Sequence, residues 1–456
     1  NIPEGSAWFT AVAVVLDRLN PVTTGNPRPG SYGVNRPGSN ENSCSIIAFD
    51  INNQKIKWSF QETAHDLWDY DIASPPIIAD LVIGNKVYET VIVVTKVGNT
   101  LIFERNTGEP IYDITYKEAP RSKMSGEYAS KYQISLKKPE RFSKIEFNPK
   151  DFNFLSSDEK EKYQKKMKDI IYGWYEPPAF GKDLLLYGVH GGAQWPGAAL
   201  DPINQDLYIP VNNDPWVIRP QILSREIKST FPKDLKKIYS DYVSLCSSCH
   251  GIRRNGKNKD YKEPDFKYIP GLVGIYKFPE LNYKLSSLKT VKAYHENLNI
   301  NQKQLDDIKK LFKWWDNELD KKKEIKIEAD APAWSLLRNE DGNPPTKPPW
   351  GYIAKLNLVS GKIIWKSPIG FAEVAGEMKK VGTISFGGIA LNKAGVIFFN
   401  GTEDKKAYAI DSNTGKELWS YQMEGSGTAP PIIFNFNGKQ YVSFVSTGGF
   451  YLNYKR

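Results

Sequence analysis

Short apolar runs, each followed by a polar turn and an aromatic residue, recur along the chain. In each repeat a polar residue and an aromatic ring lie eight positions apart, across a turn rich in Asn, Ser, Thr or Gly. This pattern predicts a strand, a tight hairpin and a second strand closed by the ring, which can dock on the neighbouring unit. The four repeats, counted from apolar run to ring, are residues 46–58, 101–112, 352–365 and 407–419.

A single hairpin of this kind cannot bury its own apolar face. Four copies with one spacing therefore predict sheets that stack on one another. Strands arranged radially as the blades of a β-propeller also protect their edges. An ordinary β-sandwich with similar hairpins is the alternative at this point. The expected fold class is all-β, with a propeller as the favoured architecture.

Two stretches interrupt the β pattern. Residues 118–178 are charged and include a helical pattern at 157–171, whereas residues 223–332 contain a CxxCH motif. The second stretch also has apolar residues at the spacing of one helix face, namely Leu305, Ile308, Leu311, Phe312 and Trp315. Because hairpin repeats lie on both sides, 223–332 is predicted to be a small helical domain inserted in a propeller loop. The propeller would then comprise residues 1–222 and 333–456.

The composition agrees with many short strands and limits the possible functions. The 456 residues include 12 Trp, 25 Tyr, 35 Gly and 30 Pro, a mixture of rings and turn formers that favours strands over a helical bundle. Three cysteines exclude a disulfide-stapled fold. The net charge of +9 is spread along the chain and indicates a solvated, lysine-rich surface, or alternatively attraction of an acidic electron-transfer partner. Without a clustered basic face or a recognisable module, binding of nucleic acid is not expected.

The sequence predicts no transmembrane segment, because no apolar run reaches the roughly 18–20 residues of a membrane span. The longest candidate, residues 7–16, follows Glu4 rather than a basic segment and makes a poor signal peptide. The first residue is Asn1. We therefore expect either that a leader has been removed or that the chain starts inside a longer protein.

Cys246-Ser-Ser-Cys249-His250 has the spacing of covalent c-type haem attachment. Each thiol can add to a vinyl group of the haem, and His250 would then be the proximal ligand of the iron. A zinc site would need another Cys or His pair, which the sequence lacks. With this motif near its start, the stretch 223–332 resembles a small class I cytochrome.

That resemblance implies a sixth iron ligand, usually a Met before the last helix. All four Met residues lie outside 223–332, and the only other His within this stretch is His295. We therefore predict ligation of the iron by His250 and His295, which should lower the reduction potential relative to a Met ligand. The alternative is that His295 lies on the surface and that the iron is open or bound by a lysine.

The segment His65-Asp-Leu-Trp-Asp-Tyr-Asp71 closely resembles one found in dehydrogenases that depend on pyrroloquinoline quinone (PQQ), particularly the glucose-dehydrogenase-like branch. Further similar segments run from about residue 8 to 449, leaving out the haem insert. The resemblance implies an eight-bladed propeller with four-stranded blades. These further segments are Thr24-Gly-Asn-Pro27, Thr95-Lys-Val-Gly-Asn99, Gly191-Gly-Ala-Gln-Trp195, Pro348-Pro-Trp-Gly351 and Phe386-Gly-Gly388.

The resemblance implies roles for individual residues. Asp69 matches the general base that takes the hydroxyl proton of an alcohol while hydride moves to the quinone, and it would also bind the divalent cation. Asn26 matches a ligand of that cation, usually calcium, for which an amide oxygen is suitable. Lys96 matches the residue that hydrogen-bonds the quinone oxygens. Gln194 and Trp195 are expected at the rim of the cofactor.

The aspartates of this segment also allow a plainer interpretation. Asp66, Asp69 and Asp71 could cap strand ends, and Asp66 is expected to be structural. In related methanol dehydrogenases an Asp at the position of Asp71 marks lanthanide use, but glucose-type relatives carry it too, so the metal stays open. Cys44 has no partner and is expected to be a buried thiol.

The sequence departs from the family in its number of blades. Setting the haem insert aside leaves about 350 residues, which supply roughly five blades at ~40–50 residues per blade. By resemblance, the missing part normally brings an acidic metal ligand, a Trp beneath the quinone and a vicinal disulfide. We therefore expect a partial propeller, either a fragment or one half of a split enzyme whose other blades a separate chain supplies.

Two functions are compatible with these observations. The first is a periplasmic quinohaemoprotein dehydrogenase that oxidises a sugar or other alcohol with PQQ and passes electrons through haem c to an external cytochrome or quinone. Haem attachment and calcium loading both suit the periplasm. The second is a non-catalytic, haem-bearing propeller that relays electrons or binds partners. The presence of Asn26, Asp69 and Lys96 together favours the first.

Overall fold

The computed structural model describes residues 19–447 apart from 29, 34–35, 37, 125–126, 128, 154–156, 168–169, 180–181, 224–231, 251–253, 255–300 and 320–327. Within these residues the chain forms 24 strands, four α-helices and a 3-10 helix at Pro149–Asp151. The prediction of an all-β class is confirmed. Cys44 is fully buried, as expected.

Most strands belong to five sheets of three or four strands, and the described strands pair antiparallel except for β9 with β10. In order of neighbouring strands, the first sheet contains β1 (Leu19–Thr23), β2 (Ser45–Asp50) and β3 (Lys55–Gln61), and the second contains β4 (Ile77–Ile83), β5 (Lys86–Val94) and β6 (Thr100–Glu104). The third sheet contains β14 (Glu328–Leu336), β13 (Trp216–Leu223), β10 (Asp183–Leu186) and β9 (Ile170–Tyr172), and the fourth contains β11 (Ala199–Asp201), β12 (Asp206–Asn212), β15 (Gly351–Asn357) and β16 (Lys362–Pro368). The fifth sheet contains β19 (Ile389–Leu391), β20 (Val396–Phe399), β21 (Lys406–Asp411) and β22 (Glu417–Gln422). Three two-stranded sheets are β7 (Tyr116–Glu118) with β8 (Tyr132–Ile134), β17 (Ala372–Val374) with β18 (Glu377–Lys379), and β23 (Ile432–Phe436) with β24 (Lys439–Ser443).

Four of the larger sheets pack face to face in the order of the sequence repeats. Buried apolar side chains form one cluster at each of three junctions. The first cluster joins β2 to β5 and β6, the second joins β4 and β5 to β12 and β15, and the third joins β12 and β15 to β20 and β21. The middle two sheets are therefore apolar on both faces, as expected of radially stacked blades.

Three of the four predicted hairpins are strand pairs, namely β2–β3, β15–β16 and β21–β22. In the repeat at 101–112 only β6 is a strand, and the returning segment meets it at an isolated bridge between Phe103 and Pro110. Because proline has no N–H for the ladder, Pro110 limits this hairpin to a short return. The Ile111 N–H still donates to the Ile102 carbonyl at 2.8 Å.

The ring that closes each of the first three repeats docks on the turn of the next repeat, as predicted. Trp58 donates its indole N–H to the Arg105 carbonyl at 2.8 Å. Tyr112 and Trp365 donate in the same way to backbone carbonyls of the third and fourth repeats, at 2.6 and 3.3 Å. Gly108, with a φ of 75°, makes the first junction possible, because a Cβ there would lie 2.7 Å from the ring of Trp58.

The charged insertion near 118–178 contains one helix, α1 (Ser157–Met167), which begins where expected. Its predicted end at residue 171 is wrong, because Ile170–Tyr172 form β9. Two consecutive isoleucines and a tyrosine favour an extended strand, and β9 pairs in parallel with β10.

The helices of the second insertion lie between two paired strands. In chain order α2 (Leu235–Leu245), α3 (Ser247–His250) and α4 (Gln302–Leu319) follow β13 and precede β14. The predicted domain boundary at 332/333 falls inside β14, which already pairs with β13 at Glu328. β14 is an edge strand, where the proline at 332 is tolerated. The other domain boundaries stay predictions.

The amphipathic run of the insertion forms one face of α4. Ile308, Leu311, Phe312 and Trp315 are buried against apolar residues of α2, whereas Leu305 is exposed, contrary to expectation. Among the residues that the structure describes, no helix is both long and apolar enough to cross a membrane.

Candidate active site

Asp69 lies in the connection between β3 and β4 and has a left-handed backbone conformation, with a φ of 66°. This region is uncommon for residues other than glycine, although Asp is enriched there. One carboxylate oxygen of Asp66 stabilises the turn, because it accepts the backbone N–H groups of Trp68 at 3.0 Å and Tyr70 at 3.1 Å. The turn therefore presents Asp69, while Asp66 has a structural role.

Side chains from two other segments converge on Asp69. The Asn26 amide donates to one carboxylate oxygen at 2.7 Å, and the Lys96 ammonium donates to the other at 2.9 Å. The Lys96 ammonium also donates to a carboxylate oxygen of Asp71 at 2.5 Å, and Lys96 is almost fully buried. The structure thus brings together the residues that the sequence assigned to the base, the metal ligand and the quinone contact.

Glu62 fixes the turn between β5 and β6, which carries Lys96, through hydrogen bonds. Thr95 and Asn99 each donate a side-chain hydrogen bond to the same Glu62 oxygen at 2.9 Å. Burial raises the pKa of Glu62 to about 7, while its hydrogen bonds to Asn99 and Thr95 lower it. Glu62 was not recognised from the sequence, although it lies only seven residues before Asp69.

Burial raises the pKa of Asp69 to about 7; the charge of Lys96 lowers it, and the carboxylates of Asp71 and Asp66 raise it. Burial lowers the pKa of Lys96, but Asp69 and Asp71 outweigh that effect and hold it above its usual value. Lys96 therefore stays protonated. A base whose pKa lies close to neutral pH is well matched to proton abstraction.

An aromatic wall, defined by His190, Trp195, Trp216 and Phe386, stands beside this cluster. His190 packs edge-on against Trp216 at 4.3 Å and Phe386 at 4.9 Å between ring centroids, and Trp195 stacks on Phe386 at 5.9 Å. Burial and then the charge of Lys96 lower the pKa of His190 to about 3, so the imidazole is neutral. Sequence reasoning missed His190 and Trp216; the position of His190 directly before Gly191 was the available signal.

A close backbone approach joins the segment of Gln194 to the turn of Lys96. A Cβ at Gly192 would lie 2.3 Å from the Lys96 carbonyl, and the Ala193 N–H donates to the Thr95 carbonyl at 3.1 Å. Gln194 is buried, whereas Trp195 is about half exposed. The backbone of residues 192–193 therefore lies against the turn of Lys96, and it is followed by the buried Gln194 and the half-exposed Trp195.

The residues present suit both a hard cation and a polar cofactor. The Asn26 amide donates through its nitrogen, which leaves its oxygen available together with the Asp69 carboxylate. The side-chain oxygen of Gln194 and the indole N–H of Trp216 are buried without a hydrogen-bond partner among the described residues. Such orphaned polar atoms call for a bound group or ordered water. The described residues contain no group of three or more His, Cys, Asp and Glu that could hold a metal ion.

The CxxCH motif lies across the junction of α2 and α3. Cys246 is partly buried against the α2–α4 cluster, and the His250 side chain is buried one turn later. The backbone of Cys249 belongs to α3, and His295 lies outside the described residues. A reachable thiol next to an apolar surface, followed by a buried imidazole, suits covalent haem attachment.

Comparison with known proteins identifies a family that matches most of the chain. A family model described as "PQQ: Glucose/ethanol/alcohol dehydrogenase, beta-propeller domain" matches residues 18–244 and 269–442. The gap between these two segments contains the CxxCH motif.

Two curated relatives and one solved structure illustrate the likeness. The chain is 24% identical over 448 residues to quinoprotein glucose dehydrogenase A of Acinetobacter calcoaceticus, covering 94% of this chain and 45% of that protein. It is 25% identical over 459 residues to the glycerol dehydrogenase large subunit of Gluconobacter thailandicus, covering 97% and 52%. The structure of a europium-containing methanol dehydrogenase is 17% identical, with a TM-score of 0.49, and covers 93% of this chain and 48% of that one. The chain thus spans about half the length of the relatives it matches.

Proposed function

Because the chain belongs to the β-propeller family of PQQ-dependent glucose, ethanol and alcohol dehydrogenases, we propose that it carries the catalytic base of a dehydrogenase for a sugar or another alcohol. The observation that carries this proposal is the contact of Asp69 with Asn26 at 2.7 Å and with Lys96 at 2.9 Å. The activity is proposed for the whole protein, since this chain spans about half of its relatives.

Each residue of the cluster has a distinct task in this proposal. Asp69 in its ionised form takes the proton of the substrate hydroxyl. Asn26 and Asp69 offer oxygen ligands to a divalent cation, with calcium as the first choice and a lanthanide as the alternative. Lys96, which stays protonated, would donate hydrogen bonds to the quinone oxygens beside the Asp69 carboxylate and stabilise negative charge there. PQQ, when bound, accepts the hydride from the carbon that bears the hydroxyl.

The aromatic wall and Gln194 would shape the binding pocket. A neutral His190 among three rings adds no charge to compete with Lys96 and helps to exclude water. The buried oxygen of Gln194 and the indole N–H of Trp216 supply one acceptor and one donor for the cofactor or the substrate. The identity of the alcohol is not decided by these contacts.

We further propose that haem c, attached at Cys246 and Cys249, receives the electrons. Oxidation of one alcohol to its carbonyl product releases two electrons and two protons. His250 and His295 would hold the haem iron, and the haem would supply one-electron transfer to an external acceptor such as a cytochrome or a quinone. Covalent haem and calcium both favour the periplasm as the site of action, and the further blades would come from the rest of a longer protein or from a separate chain.

The test is reconstitution of the full-length protein with PQQ and calcium, followed by dye-linked oxidation of a panel of sugars and alcohols. Asp69→Asn should reduce turnover by at least about 100-fold, the usual contribution of a general base, and leave the haem absorption unchanged. The matched control is Asp80→Asn, an exposed carboxylate on β4 that should leave turnover intact.

Two results would count against the dehydrogenase. Equal turnover in Asp69→Asn and wild type would remove Asp69 from the mechanism. A reconstituted protein that carries haem but binds no PQQ would instead favour the non-catalytic electron relay. Absence of a haem spectrum in the purified holoprotein would overturn the relay and leave the quinone chemistry standing.

A further inference from the structure

Two buried side chains, His65 and Glu127, form a hydrogen-bonded pair next to the segment of Asp69. His65 lies four residues before Asp69 and has a left-handed backbone conformation, with a φ of 50°. Glu127 belongs to the charged insertion near 118–178. The Nε2 atom of His65 lies 2.7 Å from one carboxylate oxygen of Glu127, and neither side chain is exposed to solvent. The insertion therefore contacts the segment that carries the proposed base.

The same carboxylate also holds the loop that carries Asn26. Its second oxygen accepts the backbone N–H of Gly33. Gly33 lies directly against the imidazole, since a Cβ placed there would be 2.5 Å from the Nε2 atom of His65. At the start of this loop, the Asn26 amide donates to Asp69 at 2.7 Å. Glu127 thus joins, through its two oxygens, the two segments that supply the proposed cation ligands.

Arg36 strengthens this junction from the other side of Gly33. Its guanidinium donates to the carbonyl of Gly30 at 3.1 Å and to the carbonyl of Asp66 at 2.5 Å. A Cβ on Gly33 would lie 2.9 Å from the central carbon of this guanidinium. Gly33 therefore fits between the Arg36 and His65 side chains only because it has no side chain of its own.

A second contact attaches the insertion to the same segment. Gln133, on β8 of the insertion, has a buried side chain. Its amide group donates to the Ala64 carbonyl at 2.8 Å, and its oxygen accepts the Ala64 N–H at 3.1 Å. Because Ala64 directly precedes His65, the insertion holds two consecutive residues by independent hydrogen bonds.

The hydrogen bonds of His65 fix the orientation of its ring. The Nδ1 atom lies 2.6 Å from the carbonyl oxygen of Gly38, which can only accept, so Nδ1 carries a hydrogen. A single proton is then shared between Nε2 and the carboxyl group of Glu127. An oriented ring beside Gly33 leaves the Asn26 loop little freedom to move away from the Asp69 segment.

We propose that Glu127 is a positioning residue which, through His65, holds the Asn26 loop against the Asp69 segment, so that the two proposed cation ligands stay in contact. This inference rests on the proposed function for its meaning in cation binding. Residues that orient metal ligands without binding the metal commonly contribute about 10–100-fold to metal affinity. The charged insertion would thus support the quinone site from outside the sheets.

The test is calorimetric titration of calcium into the full-length protein in the presence of PQQ. Glu127→Ala removes both hydrogen bonds and should weaken calcium binding by about tenfold or more. At saturating calcium kcat should fall less than the affinity does, because Asp69 itself is intact. In Glu127→Gln the amide can accept from Gly33 and donate to a neutral His65, so the affinity should return close to that of wild type.

The matched control is Glu140→Ala. Glu140 is an exposed residue of the same insertion and accepts the backbone N–H of Ile363 at 2.9 Å. Its removal also costs a hydrogen bond between the insertion and another segment. It should leave calcium binding unchanged, because that bond lies at a different junction.

His65→Asn keeps the inference testable if Glu127→Ala does not fold. Asparagine suits the left-handed backbone at this position, and its amide can still donate to the Gly38 carbonyl, whereas the contact with Glu127 is lost. Calcium binding should again weaken by about tenfold. The double variant should bind calcium no more weakly than Glu127→Ala, because both changes remove the same hydrogen bond.

Amide hydrogen exchange separates this inference from the proposed function, because it needs no calcium or PQQ. In Glu127→Ala the exchange of the Gly33 amide and of the amides of residues 65–70 should rise by about tenfold, as expected for the loss of one hydrogen bond. Unchanged calcium affinity in both single variants, or additive effects in the double variant, would overturn the inference. If wild type binds neither calcium nor PQQ, the proposed function fails, and unchanged exchange would then overturn the positioning role as well.

Discussion

At the scale of single residues, the charge balance around Asp69 determines when it can act as a base. Its pKa is raised to about 7, and only the ionised form accepts a proton. We therefore expect kcat/KM to fall as the pH drops below about 7, with one proton responsible. His190 is not the cause of this decrease in kcat/KM at low pH, because burial lowers its pKa to about 3.

The charge of Lys96 allows a sharper test of this expected pH dependence of kcat/KM. Lys96 lowers the pKa of Asp69 by its charge at 2.9 Å. In Lys96→Gln the acidic limb should therefore move to higher pH, by about 1–3 units for the loss of an opposite charge at this distance. The measurement is the pH profile of dye-linked kcat/KM, with Lys86→Gln on the exposed part of β5 as the control. If the acidic limb of the pH profile does not move in Lys96→Gln, a group other than Asp69 is responsible for it.

The sequence was sufficient for the polar centre of the candidate site and insufficient for its walls. Asp69, Asn26 and Lys96 lie in short motifs, so a resemblance could assign them, and the structure brings them within hydrogen-bonding distance. His190 and Trp216 lie in different segments and meet only through tertiary packing. No local pattern marks such a contact, which is why the places of His190 and Trp216 in the aromatic wall emerged from the structure alone.

At the scale of elements, the docking of one repeat on the next depends on a glycine in the turn. Gly108 and Gly438 both have positive φ values, of 75° and 71°. A Cβ on Gly108 would lie 2.7 Å from the ring of Trp58, whereas a Cβ on Gly438 would meet nothing within 4 Å. The two positions therefore separate backbone strain from loss of docking.

We expect Gly438→Ala to cost about 1–2 kcal/mol of unfolding free energy, from the left-handed backbone alone. Gly108→Ala should cost about 1–3 kcal/mol more, because the ring of Trp58 must move out of its contact. Urea denaturation of both variants measures the difference. Equal stability of the two variants would show that ring docking adds nothing to the junction between repeats.

The elements also show where hydrophobic patterns predict well and where they fail. The repeats specified the turns and rings, because eight-residue spacing is a local property. They did not specify that Pro110 reduces one return strand to a bridge, or that β14 begins at Glu328. These differences come from ladder hydrogen bonds with a partner strand, which a pattern along one segment does not contain.

At the scale of the whole molecule, the described helices of the insertion lie between two paired strands, β13 and β14. The first strand ends at Leu223 and the second begins at Glu328, and these two residues are partners in the register. An antiparallel pair in this register can be closed by a two-residue turn, for which Asn-Gly is the preferred sequence. The described apolar core of the insertion, between α2 and α4, is also separate from the clusters between the sheets.

We therefore expect that replacing residues 224–327 by Asn-Gly leaves the propeller folded. The deletion variant of the full-length protein should keep its β-type circular dichroism and its PQQ-dependent dye reduction, while losing the haem spectrum and any reduction of a cytochrome acceptor. Aggregation of the deletion variant, or loss of bound PQQ, would instead show that the insertion completes the fold around the quinone site rather than serving it from one side.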